Sequence, residues 1–252
     1  MKVKLSSKSW KALYFASGEA KLDIKLSKRL KTICAQLLKH KKLADIGTDH
    51  AYLPCYAVLK GVVPYAIGTE VNAGPYQSAA SFVKRLRLQK YIDIRLGDGL
   101  SVIEKGEAEQ IVIAGMGGSL IVKILDNGKE KLHEVQRLIL QPNVAADKVR
   151  RWLYENGWTI VDEIILEEDG IIYEIVAAEP GKDDRVFTEK DFLFGPYLHE
   201  EKSAVFRKKW RNELNKLEKI LHELRKAGES DKVQVKREEV ERTICLIEEV
   251  LA

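Results

Sequence analysis

Apolar residues along this chain follow two alternating rhythms. Short apolar runs at 42–46, 65–69, 91–96, 110–114 and 136–140, each bounded by glycine or polar residues, read as buried strands. Between them apolar positions recur every three or four residues. That spacing predicts helices over 26–38, 50–59, 75–87, 118–126 and 145–156, with a short one at 100–105. Two longer strands, 158–167 and 171–178, end the series, and Glu168-Asp169-Gly170 between them signals an antiparallel hairpin. Strands alternating with helices predict an α/β fold, a mostly parallel sheet covered on both faces and ending in that hairpin.

Beyond Gly195-Pro196 the rhythm is helical only. Phe206, Trp210, Leu214, Leu217, Leu221 and Leu224 form one stripe, and Val240, Ile244, Ile247 and Leu251 a second. Ala227-Gly228-Glu229-Ser230-Asp231 between them supplies a glycine to stop one helix and Ser230/Asp231 to cap the next. The expectation is an α-helical coiled-coil hairpin over 195–252, after a sheet domain over 21–180 and a basic tail over 1–20.

The strand ends carry the chemistry. Leu43-Ala44-Asp45-Ile46-Gly47-Thr48-Asp49-His50 is a strand that breaks at glycine and opens a helix, with an acid just before the break. In α/β sheets such a turn lets a ligand approach the backbone, and the helix N-terminus offers unpaired N–H groups. No phosphate-loop lysine follows Gly47, and Thr48, Asp49 and His50 stand where a dinucleotide fingerprint needs further glycines. Asp45 and Asp49 would repel a pyrophosphate. They suit a cofactor with a cationic head and a ribose, such as S-adenosylmethionine (AdoMet). The alternative is an ordinary turn with Asp49 as helix cap.

Further acids stand at successive strand ends. Glu70 closes the second strand, placed to accept ribose hydroxyls, and Asp98, followed by Gly99, closes the third, placed to receive an adenine amino group. The fourth runs into Ala114-Gly115-Met116-Gly117-Gly118, almost without side chains, and the fifth into Gln141-Pro142-Asn143. Five βα units and a terminal hairpin, with acids in this order, point to a Rossmann-like class I AdoMet methyltransferase sheet.

Charge adds a partner. Residues 1–42 hold twelve Lys/Arg against Glu19 and Asp23, whereas residues 43–180 are net acidic. A basic arm on an acidic core is the usual mark of contact with a polyanion, or else a solvated tail. Arg207-Lys208-Lys209-Trp210-Arg211 adds four cations around one aromatic. Cys34, Cys55 and Cys245 lack metal-ligand spacing and read as buried thiols in a reducing, cytoplasmic compartment. No metal is expected, and no run approaches the ~20 apolar residues of a membrane span.

With these residues together, the chain resembles the bacterial tRNA (adenine-N1)-methyltransferases that act on position 22. The resemblance rests on Leu26-Ser27-Lys28-Arg29-Leu30, residues 44–54, Gly97-Asp98-Gly99-Leu100, residues 113–118, Leu138 to Asn143, Glu167 to Gly170, and Gly195-Pro196, within residues 22–252. It implies AdoMet as cofactor and tRNA as partner; the sequence leaves the oligomeric state open, with a monomer favoured. Cofactor contacts are expected from Arg29, Asp45, Gly47, His50, Glu70, Asp98, Gly99, Ala114, Gly115 and Met116. Asp49, His50 and Asn143 are the expected catalytic or orienting groups. Substrate contacts are expected from Tyr52, Gly117, Gly118, Arg207, Lys208, Lys209 and Arg211. A non-catalytic Rossmann-like RNA-binding adaptor and a small-molecule methyltransferase are the alternatives. The intact strand-end acids argue against the first, and the basic arm and helical hairpin against the second.

Overall fold

The structure, a computed structural model, describes residues 24–226 and 230–252. The N-terminal part of the basic arm, including the expected 1–20 tail, and Gly228 at the helical turn lie outside the described residues. In order, the elements are α1 (Lys28–Ala35), β1 (Leu43–Ile46), α2 (Tyr52–Leu59), β2 (Ala66–Glu70), α3 (Ala73–Arg85), β3 (Ile92–Leu96), β4 (Gln110–Gly117), α4 (Gly118–Asn127) and β5 (Arg137–Val144). Then follow α5 (Ala146–Glu155), β6 (Trp158–Glu168), β7 (Ile171–Pro180), α6 (Glu189–Phe194), α7 (Leu198–Glu201), α8 (Ala204–Lys226) and α9 (Asp231–Leu251).

The seven strands are hydrogen-bonded in the order β3-β2-β1-β4-β5-β7-β6. β1 pairs in parallel with both β2 and β4, so Asp45 stands opposite Gly68 on one side and Val112 on the other. A strand covered on both faces has to be apolar throughout, and Asp45 is the only charged residue of β1. β6 and β7 are antiparallel around the expected hairpin turn.

The elements depart from the sequence pattern in three places. Residues 100–105 form turns instead of a helix, because the Arg95 guanidinium gathers the Val102 carbonyl (2.7 Å) and the Glu107 carboxylate (2.6 and 2.9 Å) into a compact loop. β4 runs on through the expected glycine loop to Gly117, and β5 through Gln141-Pro142-Asn143 to Val144. Residues 189–201 hold two short helices that the periodicity does not signal, although Thr188 and Asp191 form a capping box at the first.

The chain divides into two compact units. The first runs to Ala114 and resumes over Ile124–Ile139; it holds β1 to β3 and their helices. The second comprises Gly115–Lys123 and Leu140–Ala252. At its heart is an ion cluster: Arg150, fully buried, donates to Glu163 (2.7 Å), Glu174 (2.9 Å) and the Phe192 and Leu193 carbonyls. Burial pushes the Glu163 carboxyl up, whereas in Glu174 the charges of Lys209 and Arg150 outweigh burial and hold it down. A side chain at Gly195 would meet Glu163 and Arg150 at 2.6–2.7 Å, which explains glycine there. Phe194, Leu198, Phe206, Trp210, Ile247 and Val250 pack together as an apolar cluster, fastening the roots of α8 and α9. The stripe expected for α9 is met at Val240 and Ile247, with Val250 buried beside Leu251.

Candidate functional site

In the first unit, the turn after β1 is held from two sides. Asp45, 6% exposed, accepts the Thr48 hydroxyl at 2.6 Å, and Glu70 accepts the backbone N–H of Asp49. Asp49 and Ala51 both adopt left-handed backbone (φ 55°), a conformation that costs about 1–2 kcal/mol for a residue with a Cβ. Asp49 is therefore not the helix cap: α2 starts at Tyr52 with Ala51 before it and no side-chain cap. Strain of this kind persists where the surroundings enforce it, and here the enforcing group is the Glu70 carboxylate.

The carboxylates differ in environment. Glu70 is 7% exposed, and its second oxygen has no protein partner among the described residues. Burial raises the Asp45 carboxyl to about 6, and the negative charge of Glu70 pushes the same way; the Thr48 hydroxyl and the positive charge of Arg29 pull against it. Arg29, near the start of α1, is thus electrostatically linked to Asp45. Asp98 is exposed at the end of β3, beside Gly99 in left-handed backbone. His50 and Tyr52 are exposed, their rings 5.4 Å apart, and Tyr52 meets the Phe82 ring edge-on at 5.0 Å. His50 lies 3.7 Å from the Asp49 carboxylate. This set fits an adenosine-type cofactor: a buried carboxylate with one oxygen to spare for hydroxyls, a second buried carboxylate beside it, and an exposed acid at the next strand end.

In the second unit, Gly115 lies within β4 in left-handed backbone (φ 78°). Its N–H donates to Gln141 Oε1 (3.1 Å), Gln141 Nε2 donates to Asn143 Oδ1 (3.0 Å), and Asn143 Nδ2 donates to the Gly115 carbonyl (2.8 Å). Gln141 is wholly buried, whereas Asn143 is exposed. A Cβ at Gly118 would stand 2.0 Å from the Ala145 carbonyl, so α4 begins at a position only glycine fits. Gly117 has space, its nearest neighbour 3.7 Å away. The sequence marks Gln141 only as the end of the fifth strand and gives it no role; its one signal is a polar residue following the apolar run Leu138-Ile139-Leu140.

The cationic cluster of α8 is divided by its partners. Arg207 donates to the Lys202 and Leu251 carbonyls, Lys208 to Glu167 (2.6 Å), and Lys209 to buried Glu174. Arg211 is exposed. Cys34 and Cys55 are buried, their thiols pushed up to about 11 and about 12 by burial, but Cys245 is exposed on α9, contrary to expectation. Among the described residues no group of three His, Cys, Asp or Glu side chains is arranged to hold a metal ion, and no helix is long and apolar enough to cross a membrane.

Comparison with known proteins gives a consistent picture. The family model for tRNA (adenine(22)-N(1))-methyltransferase matches residues 43–249. The Bacillus subtilis (strain 168) protein of that name is 45% identical over 233 residues, 91% of this chain and 98% of that one. The crystal structure of the B. subtilis m1A22 tRNA methyltransferase matches with a TM-score of 0.87 at 44% identity, over 91% of this chain and 100% of the other. A Streptococcus pneumoniae protein crystallised in complex with S-adenosyl-L-methionine matches with a TM-score of 0.82 at 42% identity, over 90% of this chain and 100% of the other.

Proposed function

This chain belongs to the tRNA (adenine(22)-N(1))-methyltransferase family, and we propose how its residues share the work of that reaction. The enzyme transfers a methyl group from AdoMet to N1 of adenine 22 in tRNA. Bound AdoMet supplies an electrophilic methyl group on a sulfonium. Glu70 accepts the ribose hydroxyls through the oxygen that Asp49 leaves unused. Asp45 supplies negative charge near the cationic head, Arg29 meets the carboxylate, and Asp98 receives the adenine amino group. Gly47, His50, Gly99, Ala114, Gly115 and Met116 complete the cofactor contacts.

Adenine N1 carries an in-plane lone pair at neutral pH, so attack needs alignment and no prior deprotonation. N1 lies on the Watson–Crick edge, so the nucleotide must be unpaired or flipped out. Gly117 and Gly118 present backbone to a flat base, where exocyclic-amine methyltransferases often carry Asn/Asp-Pro-Pro-Tyr/Phe. Methylation leaves the base cationic; Asp49 and His50 stabilise that charge, Tyr52 stacks, and Asn143 orients the base. Arg207, Lys208, Lys209 and Arg211 provide a second grip on the RNA. The enzyme works as a monomer in the cytoplasm, without metal.

The observation that carries this division is the glycine end of β4 with the Asn143 amide bonded to it. It supports a ring-nitrogen acceptor over an amine. The test is nuclease-fragment mass spectrometry of unmodified tRNA incubated with enzyme and AdoMet. A single methyl on adenine 22 that blocks reverse transcription is expected; methylation at N6 would overturn the reading.

A further inference from the structure

Three consecutive residues at the end of β2 shape the turn that follows β1. The Thr69 carbonyl accepts the N–H groups of Gly47 (2.9 Å) and Thr48 (3.0 Å), and the Glu70 carboxylate accepts that of Asp49. Gly68 makes room for the Thr48 side chain: a Cβ there would stand 2.8 Å from the Thr48 methyl group, closer than a Cβ can pack. Thr48 is thus tied down at its backbone and seated at its side chain. It is buried, and its hydroxyl donates to Asp45 Oδ2 at 2.6 Å. That bond engages one oxygen of the carboxyl, and Oδ1 has no protein hydrogen-bond partner among the described residues.

We propose that Thr48 is a positioning residue of the cofactor site: by holding Asp45 Oδ2 it presents Oδ1 to the cationic part of AdoMet. The proposal rests on the reading of Asp45 as a cofactor contact. A hydroxyl that donates to a carboxylate favours its charged form, so the same bond opposes the burial that lifts the Asp45 carboxyl to about 6. The neighbours on the surrounding elements divide. Glu70 from β2 pushes in the same direction as burial, Arg29 from α1 pulls against it, and Cys55 on α2, its thiol pushed up to about 12, stays neutral. Among these groups Thr48 alone is hydrogen-bonded to Asp45. It therefore sets both the direction in which the carboxylate points and the pH at which it becomes charged.

The test titrates AdoMet binding by calorimetry from pH 5 to 8, with thermal melting of the cofactor-free protein over the same range. Thr48→Val keeps the methyl group beside Gly68 and loses the hydroxyl; Thr48→Ser does the reverse. Wild-type affinity should rise with pH to a plateau above about 6. In Thr48→Val the rise should move up by about one to two pH units, the effect of losing a hydrogen bond to a charged group. Affinity at pH 5.5 should then be about 10-fold lower or worse, with the gap narrowing toward pH 8. Thr48→Ala, which adds no bulk, should shift the profile the same way if the valine packs badly, and Thr48→Ser should restore the wild-type midpoint. The melting deficit of Thr48→Val should grow from pH 5 to 8, because the lost bond favoured the ionised carboxyl. A midpoint unchanged in both Thr48→Val and Thr48→Ala, beside a wild type that titrates, would overturn the role of Thr48 and leave the Asp45 assignment standing. Wild-type affinity independent of pH would overturn the reading of Asp45 and this proposal with it.

Discussion

The Glu70 carboxylate accepts the backbone N–H of Asp49, so the acid closing β2 holds in place the left-handed turn that follows β1. One carboxyl thus has a structural duty through the first oxygen and, in the proposed assignment, a ligand-facing one through the second. Glu70→Gln keeps an acceptor for Asp49 but replaces the other oxygen with a donor. It should weaken AdoMet binding about 10- to 100-fold, the range for a hydrogen bond to a charged group, with little change in melting temperature. Glu70→Ala should lower both. Calorimetry and thermal melting separate the two duties; equal binding by wild type and Glu70→Gln would contradict the second.

Asp45 makes cofactor binding and stability depend on pH in opposite senses. Its carboxyl is raised to about 6, so the folded state ionises it less readily than the unfolded chain does. That contribution to stability is fully present below the ordinary carboxylate range and is lost as pH rises through about 6. Asp45→Asn should therefore melt higher than wild type at pH 8 and equally at pH 4. A cofactor with a cationic head favours the ionised form, so wild-type AdoMet affinity should fall as pH drops from 7 to 5, with proton release on binding near pH 6. Asp45→Asn should bind weakly at every pH. Affinity independent of pH across this range in the wild type would exclude the assignment.

The glycines after Gly115 should separate by what a methyl group meets. At Gly118 it collides with the Ala145 carbonyl, so Gly118→Ala should fail to fold stably. At Gly117 there is room, so Gly117→Ala should fold, melt and bind AdoMet normally, yet methylate tRNA poorly because the base is kept away. Normal turnover by Gly117→Ala, measured at saturating AdoMet, would remove Gly117 from the substrate path.

The cations of α8 should also separate. Replacing Arg150 or Glu163 leaves a buried charge unpaired and should cost about 3–5 kcal/mol in chemical denaturation. Lys209, bonded to Glu174, belongs to that cluster, so Lys209→Ala should lower the melting temperature along with tRNA affinity. Arg211→Ala should leave melting unchanged and reduce the salt dependence of tRNA binding by about one phosphate contact. An Arg211→Ala enzyme with the wild-type salt slope would show that this arginine does not touch RNA.

Much of this architecture is legible in the sequence because it is written locally. Apolar runs and glycine breaks give the parallel sheet, and Asp45, Glu70 and Asp98 at successive strand ends give the proposed cofactor contacts. What the sequence hides depends on distant partners. The segment Gly115-Met116-Gly117 has poor strand propensity, yet strand pairing within the sheet draws it into β4. Lys208 and Lys209 read as a solvent-facing cluster with Arg211 until Glu167 and Glu174, more than thirty residues away in the chain, are seen beside them. Gln141 gains its meaning only from the backbone of Gly115. Thr188 and Asp191, by contrast, carried a local helix-start signal that the apolar periodicity did not reveal.

The most direct measurement is the pH dependence of the chemical step: single-turnover methylation of unmodified tRNA at saturating AdoMet from pH 6 to 9. Attack by the lone pair of adenine N1 requires no deprotonation, so the rate should be flat across this range. Asp49→Ala, His50→Ala and Asn143→Ala should each lower it by ~100-fold or less without changing its shape. A rate that rises log-linearly with pH in the wild type, and loses that rise in Asp49→Ala or His50→Ala, would show obligatory base catalysis and contradict methyl transfer by alignment alone.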